Sequence, residues 1–78
     1  MLLTPYTFTA RQLDEVSAAL KALLDGDLLD EKEKVLARRL VRQLGEVRRP
    51  EGEDYSMVHI SEEDNELLQG VMASLWRR

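Results

Sequence analysis

The stretch from Asp30 to Val47 is the longest uninterrupted helical pattern in the chain, and no Gly or Pro enters it before Gly45. Asp30 and Glu33 stand at capping-box spacing. An Asp side chain at the N-cap accepts from a backbone N–H of the first turn, and a Glu three residues on reaches back to the cap. Glu31 and Glu33 also suit the positive end of the helix dipole. Leu36, Leu40, Leu44 and Val47 recur at steps of four and three, so they share an arc of roughly 80°. Lys34, Arg38, Arg42 and Arg49 project away from that arc. Arg48 and Arg49 are placed near the negative C-terminal end, where Pro50 stops the helix.

Charge is distributed unevenly about this helix. Residues 32–49 carry seven bases and two acids, whereas residues 50–66 carry seven acids and no base. Residues 1–31 carry two bases and six acids. A basic middle between acidic flanks complements itself, either within one chain or between two copies. The total of −4 argues against general nucleic-acid affinity.

At 78 residues the chain is expected to form one domain, residues 1–78. Hydrophobic residues make up 44%, too many for a disordered chain, and aromatic residues only 5%, which leaves few large core-filling rings. Leu, Ala, Glu, Arg and Lys are helix formers. Without Cys there is neither a disulfide nor a thiolate metal site, which fits a cytoplasmic location. No apolar run reaches the length of a membrane span, and no secretory signal is evident.

Two further helices are expected. Thr9 and Gln12 form a capping box, and Phe8 with Leu13 has the spacing of a hydrophobic staple. Leu13, Val16, Leu20, Leu23 and Leu24 then form one stripe. Gly26 is expected to end this helix in the left-handed C-terminal conformation. The short link to Asp30 makes an antiparallel helical hairpin, with Leu28 and Leu29 closing its end. Ser61 and Asp64 open the last helix, and Glu62, Glu63 and Asp64 load its first turn with negative charge. Its apolar residues, Leu67, Leu68, Val71, Met72, Leu75 and Trp76, cover nearly half the circumference. Gly70 lies on the opposite side, and Arg77 and Arg78 suit the C-terminal dipole end.

Tyr55 to Ile60 alternates with period two and contains Val, Ile and Tyr, so it reads as a short strand. Its natural partner is the region Thr4–Phe8, although Pro5 restricts any strand there to an edge. At an offset of 52 residues, Phe8-Thr9 aligns with Ile60-Ser61, and Val16 with Leu68. This is a repeated extended-segment-then-helix plan. The expected fold is mainly α: a three-helix domain, built as a helical hairpin plus a C-terminal helix, with a minor two-stranded β ribbon as an option.

Catalysis is not expected. Acid–base or nucleophilic chemistry needs several reactive groups within reach of one another, and here His59 is the sole His. Asp25, Asp27, Asp30 and Glu31 crowd a turn without the ligand spacing of a calcium loop. No phosphate-cradling Gly-rich loop is present. Neither metal, cofactor nor small-molecule substrate is expected. The function expected is a non-catalytic interaction or regulatory module, acting as a homodimer or bound to a larger protein. Arg38, Arg42 and Arg49 are the candidate partner-binding residues, set against the default reading of these arginines as the solvated outer face of a core helix. Leu68, Met72, Leu75 and Trp76 are the candidate dimer contact, because their arc exceeds what one neighbour covers. The alternative is a small DNA-associated regulator using Arg38, Arg39 and Arg42, a reading the acidic total disfavours.

Overall fold

The computed structural model describes residues 2–76. In chain order its elements are β1 (Leu3–Phe8), α1 (Ala10–Asp25), α2 (Glu31–Glu46), β2 (Ser56–Ser61) and α3 (Glu62–Trp76). The fold is therefore mainly α, with a minor two-stranded antiparallel sheet. The dipole role expected of Arg77 and Arg78 lies outside the described residues. No helix among the described residues is long and apolar enough to cross a membrane.

All three helix starts fall where the capping residues place them. Thr9 Oγ1 accepts from the Gln12 N–H at 3.2 Å, and Gln12 Oε1 accepts from the Thr9 N–H at 2.9 Å. Asp30 and Glu33 make the same reciprocal pair, at 2.8 and 3.2 Å. The α3 cap is looser, with the Asp64 N–H 3.4 Å from Ser61 Oγ.

The ends of α1 and α2 differ from expectation. Gly26 is right-handed, with φ −81°, and the left-handed position falls one residue later, on Asp27 at φ 53°. The Leu28 N–H reaches the Leu23 carbonyl and the Asp27 N–H the Leu24 carbonyl, which is the Schellman pattern with Asp27 in the place usually taken by Gly. Asp tolerates this conformation better than most residues. Of the two residues expected to close the hairpin, Leu29 packs on the core and Leu28 stays exposed. The second helix stops at Glu46, and Val47 is already extended. Pro50 disfavours helical backbone at Arg49, and the helix ends three residues before that position, at Glu46. Arg48 and Arg49 consequently lie past the helix rather than in its last turn.

β1 and β2 pair with Thr4 opposite Ile60, Tyr6 opposite Val58 and Phe8 opposite Ser56. These side chains form the inner face, on which the helices pack. Tyr6 and Phe8 stack there at 5.9 Å between ring centroids. The residue 52 after Tyr6 is Val58, which is also its partner across the ribbon; because the strands run antiparallel, the two coincide at that position alone, and Phe8 pairs with Ser56 and not with Ile60.

The core joins Phe8, Val58 and Ile60 of the ribbon to Leu13, Val16 and Leu20 of α1, Ala37, Leu40 and Leu44 of α2, and Leu68 and Val71 of α3. Ala37 is fully enclosed, whereas Leu36, expected on the core stripe, is only half-buried. The buried face of α2 is thus turned by roughly 40° from the leucine arc, toward Ala37 and Val41.

Candidate functional site

The most organised polar feature is the contact of Arg39 with the start of α3. Asp64 is 3% exposed, and its carboxylate takes Arg39 Nη2 at 2.9 Å and Nε at 3.2 and 3.3 Å. Glu63 receives a longer contact from Nη2 at 3.4 Å, and Ser61 Oγ donates to Asp64 at 3.1 Å. The guanidinium is held further above its ordinary range, first by the hydrogen bonds with Asp64 and then by that residue's charge. An enclosed carboxylate needs both charge and donors around it, and Arg39 supplies both. Next to it, Gln43 Nε2 donates to the His59 carbonyl at 2.8 Å and ties α2 to β2. This cluster joins α2 to α3 and the ribbon, and its arginine is committed to Asp64 and Glu63 through Nε and Nη2.

The expected partner-binding arginines are not brought together. Arg38 and Arg42 are exposed on the outer side of α2, one turn apart, and neither is in an ion pair among the described residues. Arg49 is not on that face at all. It reaches back to Asp14 of α1, whose carboxyl is held below its ordinary range by the hydrogen bond from Arg49. Lys34, expected to point away from the core, folds onto Asp27 at the hairpin end and lies 3.7 Å from Glu31.

The dimer contact expected on α3 also divides. Leu68 is fully buried within the monomer and has no surface to offer a second copy. Met72 is half-buried against the core. The arc is wide because α3 packs on α1, α2 and both strands together, so one chain uses most of its breadth. Only Leu75 and Trp76 stay open, at 38% and 37% exposure. The Trp76 indole N–H donates to Glu15 at 2.8 Å and draws that carboxyl below its ordinary range.

Two surfaces escaped the sequence reading. The first is the outer face of the ribbon, built by Leu3, Pro5 and Thr7 of β1 beside Met57 and His59 of β2. Leu3 is 52% and Met57 60% exposed, with Leu2 and Tyr55 also open nearby. The strand alternation carried the signal, because an inward Val58 and Ile60 oblige Met57 and His59 to point out. The second is a groove of 480 Å³ beside α2 and α3, floored by Leu23, Leu36, Leu67 and Val71.

The chemistry within reach is limited. A smaller hollow of 390 Å³ is lined by His59, Ser61, Arg39 and Asp64. Ser61 Oγ is engaged by the α3 cap, and no hydrogen bond links it to the His59 ring among the described residues. A serine nucleophile requires such a base within hydrogen-bond reach. Among the described residues no group of three or more His, Cys, Asp or Glu side chains converges to hold a metal ion. Comparison with known proteins returns no match: no family, no curated protein and no solved structure shows significant similarity to the chain.

Proposed function

We propose that the chain is a non-catalytic protein-interaction module that works as a homodimer through the outer face of its β ribbon. One observation carries this reading. In a chain of which 33% is charged, the face made by Leu3, Pro5, Thr7, Met57 and His59 holds no acidic or basic side chain apart from His59. Exposed contiguous apolar surface usually marks an interaction site. A partner for it presents apolar surface, and a second copy offers that same surface. The size of the domain points the same way. Below roughly 80 residues a core seldom supplies more than about 3–5 kcal/mol, and association is one common remedy.

Sedimentation equilibrium over a wide concentration range tests the proposal. The expected result is a dimer that Met57→Glu converts to monomer while the circular dichroism spectrum is kept. A dimer weakened by Trp76→Ala and not by Met57→Glu would move the contact to the end of α3. A strict monomer at high micromolar concentration would refute self-association and leave a larger protein as the partner. The second reading, a DNA-associated regulator, rests on Arg38 and Arg42, which are exposed and in no ion pair among the described residues. Micromolar binding to mixed DNA with steep salt dependence would favour it.

A further inference from the structure

We propose that the groove beside α2 and α3 is a docking site for a basic amphipathic helix from another protein. This rests on the reading of the chain as an interaction module and not on the homodimer, since the groove and the ribbon face share no residue.

The floor is apolar, and Leu36 turns toward it instead of completing the core stripe of α2. The rim is acidic: Asp30, Glu33, Glu63 and Glu66 line it, against the single cation Lys32 among the described residues. Glu66 is exposed and in no ion pair among the described residues. Asp30 and Glu33 bond backbone N–H groups of their own cap, and neither is in an ion pair among the described residues. Among the described residues the rim carboxylate in an ion pair is Glu63, with Arg39 at 3.4 Å.

The wall is shaped for another backbone. Glu63, Leu67, Gly70 and Ser74 follow one another at steps of three and four along α3, so they form a single row roughly 16 Å long. That length matches about three turns of a docked helix. Gly70 and Ser74 are small, and a Cβ placed at Gly70 meets nothing within 4 Å. A helix that lays leucines at i, i+3, i+4 and i+7 on Leu36, Leu67 and Val71 brings its flanks level with the four carboxylates. Lysine or arginine on those flanks completes the match, whereas an acidic helix meets like charge on both sides.

The probe is a fluorescently labelled synthetic helix with leucines at that spacing and lysines on both flanks, followed by anisotropy against the full chain. The control peptide has the same composition with its leucines scattered around the helix. Micromolar binding to the first peptide, at least tenfold tighter than to the second, is the expected result. Gly70→Leu fills the groove and replaces a poor helix former, so it removes binding without endangering the fold. Glu66→Lys reverses one rim charge and is expected to weaken binding several-fold, with a shallower salt dependence. Met57→Glu, on the ribbon, is expected to leave peptide affinity unchanged. Equal binding of both peptides, or unaltered affinity in both Gly70→Leu and Glu66→Lys, overturns the proposal. So does the absence of binding below millimolar concentration. A monomer that binds the peptide refutes only self-association; a dimer that does not bind it refutes only the groove.

Discussion

Replacing Leu68 and Leu75 separately by Ala distinguishes a core residue from a surface one on the same helix. Leu68 is fully enclosed, and Leu75 is 38% exposed. Leu→Ala removes about three carbon groups at roughly 0.8 kcal/mol each, a transfer loss near 2.4 kcal/mol for a fully buried side chain. At Leu68 a cavity adds to this, so the expected loss is about 3–4 kcal/mol. At Leu75 roughly 60% of the transfer loss applies, and the site opens to water instead of leaving a void, so about 1.5 kcal/mol is expected. A domain of this length loses roughly 4–8 °C of melting temperature per kcal/mol. Leu68→Ala therefore melts about 12–30 °C below the wild type and keeps only about 1–2 kcal/mol of stability if the core supplies about 5 kcal/mol. Urea denaturation followed by circular dichroism measures both losses. A Leu75→Ala loss equal to or above that of Leu68→Ala would refute the argument. So would a Leu68→Ala loss that vanishes on dilution, since only an interface residue behaves that way.

Acid is expected to destabilise the fold through Asp14, Glu15 and Asp27, whose carboxyls are held low by hydrogen bonds from Arg49, Trp76 and Lys34 respectively. The folded state binds these protons less readily than the unfolded one, so the stabilisation is complete above the ordinary carboxylate range and is lost as pH falls through and below it. Melting temperatures from neutrality to about pH 3 should fall less in Asp14→Asn/Glu15→Gln/Asp27→Asn than in the wild type. Arg39→Leu is expected to lower the melting temperature far more than Arg42→Leu, because it strands the buried Asp64; equal effects would remove Arg39 from the structural core. Gly70→Ala is expected to raise stability by about 1 kcal/mol in thermal or urea melts, since the new methyl meets nothing and the helix gains propensity.

Local chemistry was legible in the sequence, and chemistry between distant segments was not. Ala10, Glu31 and Glu62 begin the helices because each cap lies within four residues of the groups it satisfies. The alternation in Tyr55–Ile60 marked β2, displaced by one residue to Ser56–Ser61. Arg39 differs in kind. Its partner Asp64 lies 25 residues away, and on a helical wheel Arg39 falls between the apolar arc and the outer face, where nothing separates an anchor from a solvated charge. Asp64 read as a first-turn acid, and only the packing of α3 on α2 encloses it. Arg49 was placed on the helix by continuing its period, but the restriction Pro50 imposes overrides that period. The breadth of the α3 arc was visible; that four neighbouring elements would share it was not.

The register of the ribbon also determines how the protein yields to force. Leu3, at the start of β1, lies opposite Ser61, and α3 continues directly from that residue. Drawing the first strand away from the last helix therefore loads the Leu3–Ser61 rung before any other. Rungs loaded from one end part in succession, so the ribbon opens as a zipper and does not resist as a sheared pair would. Peeling it uncovers Val58 and Ile60 while the α1–α2 hairpin still stands.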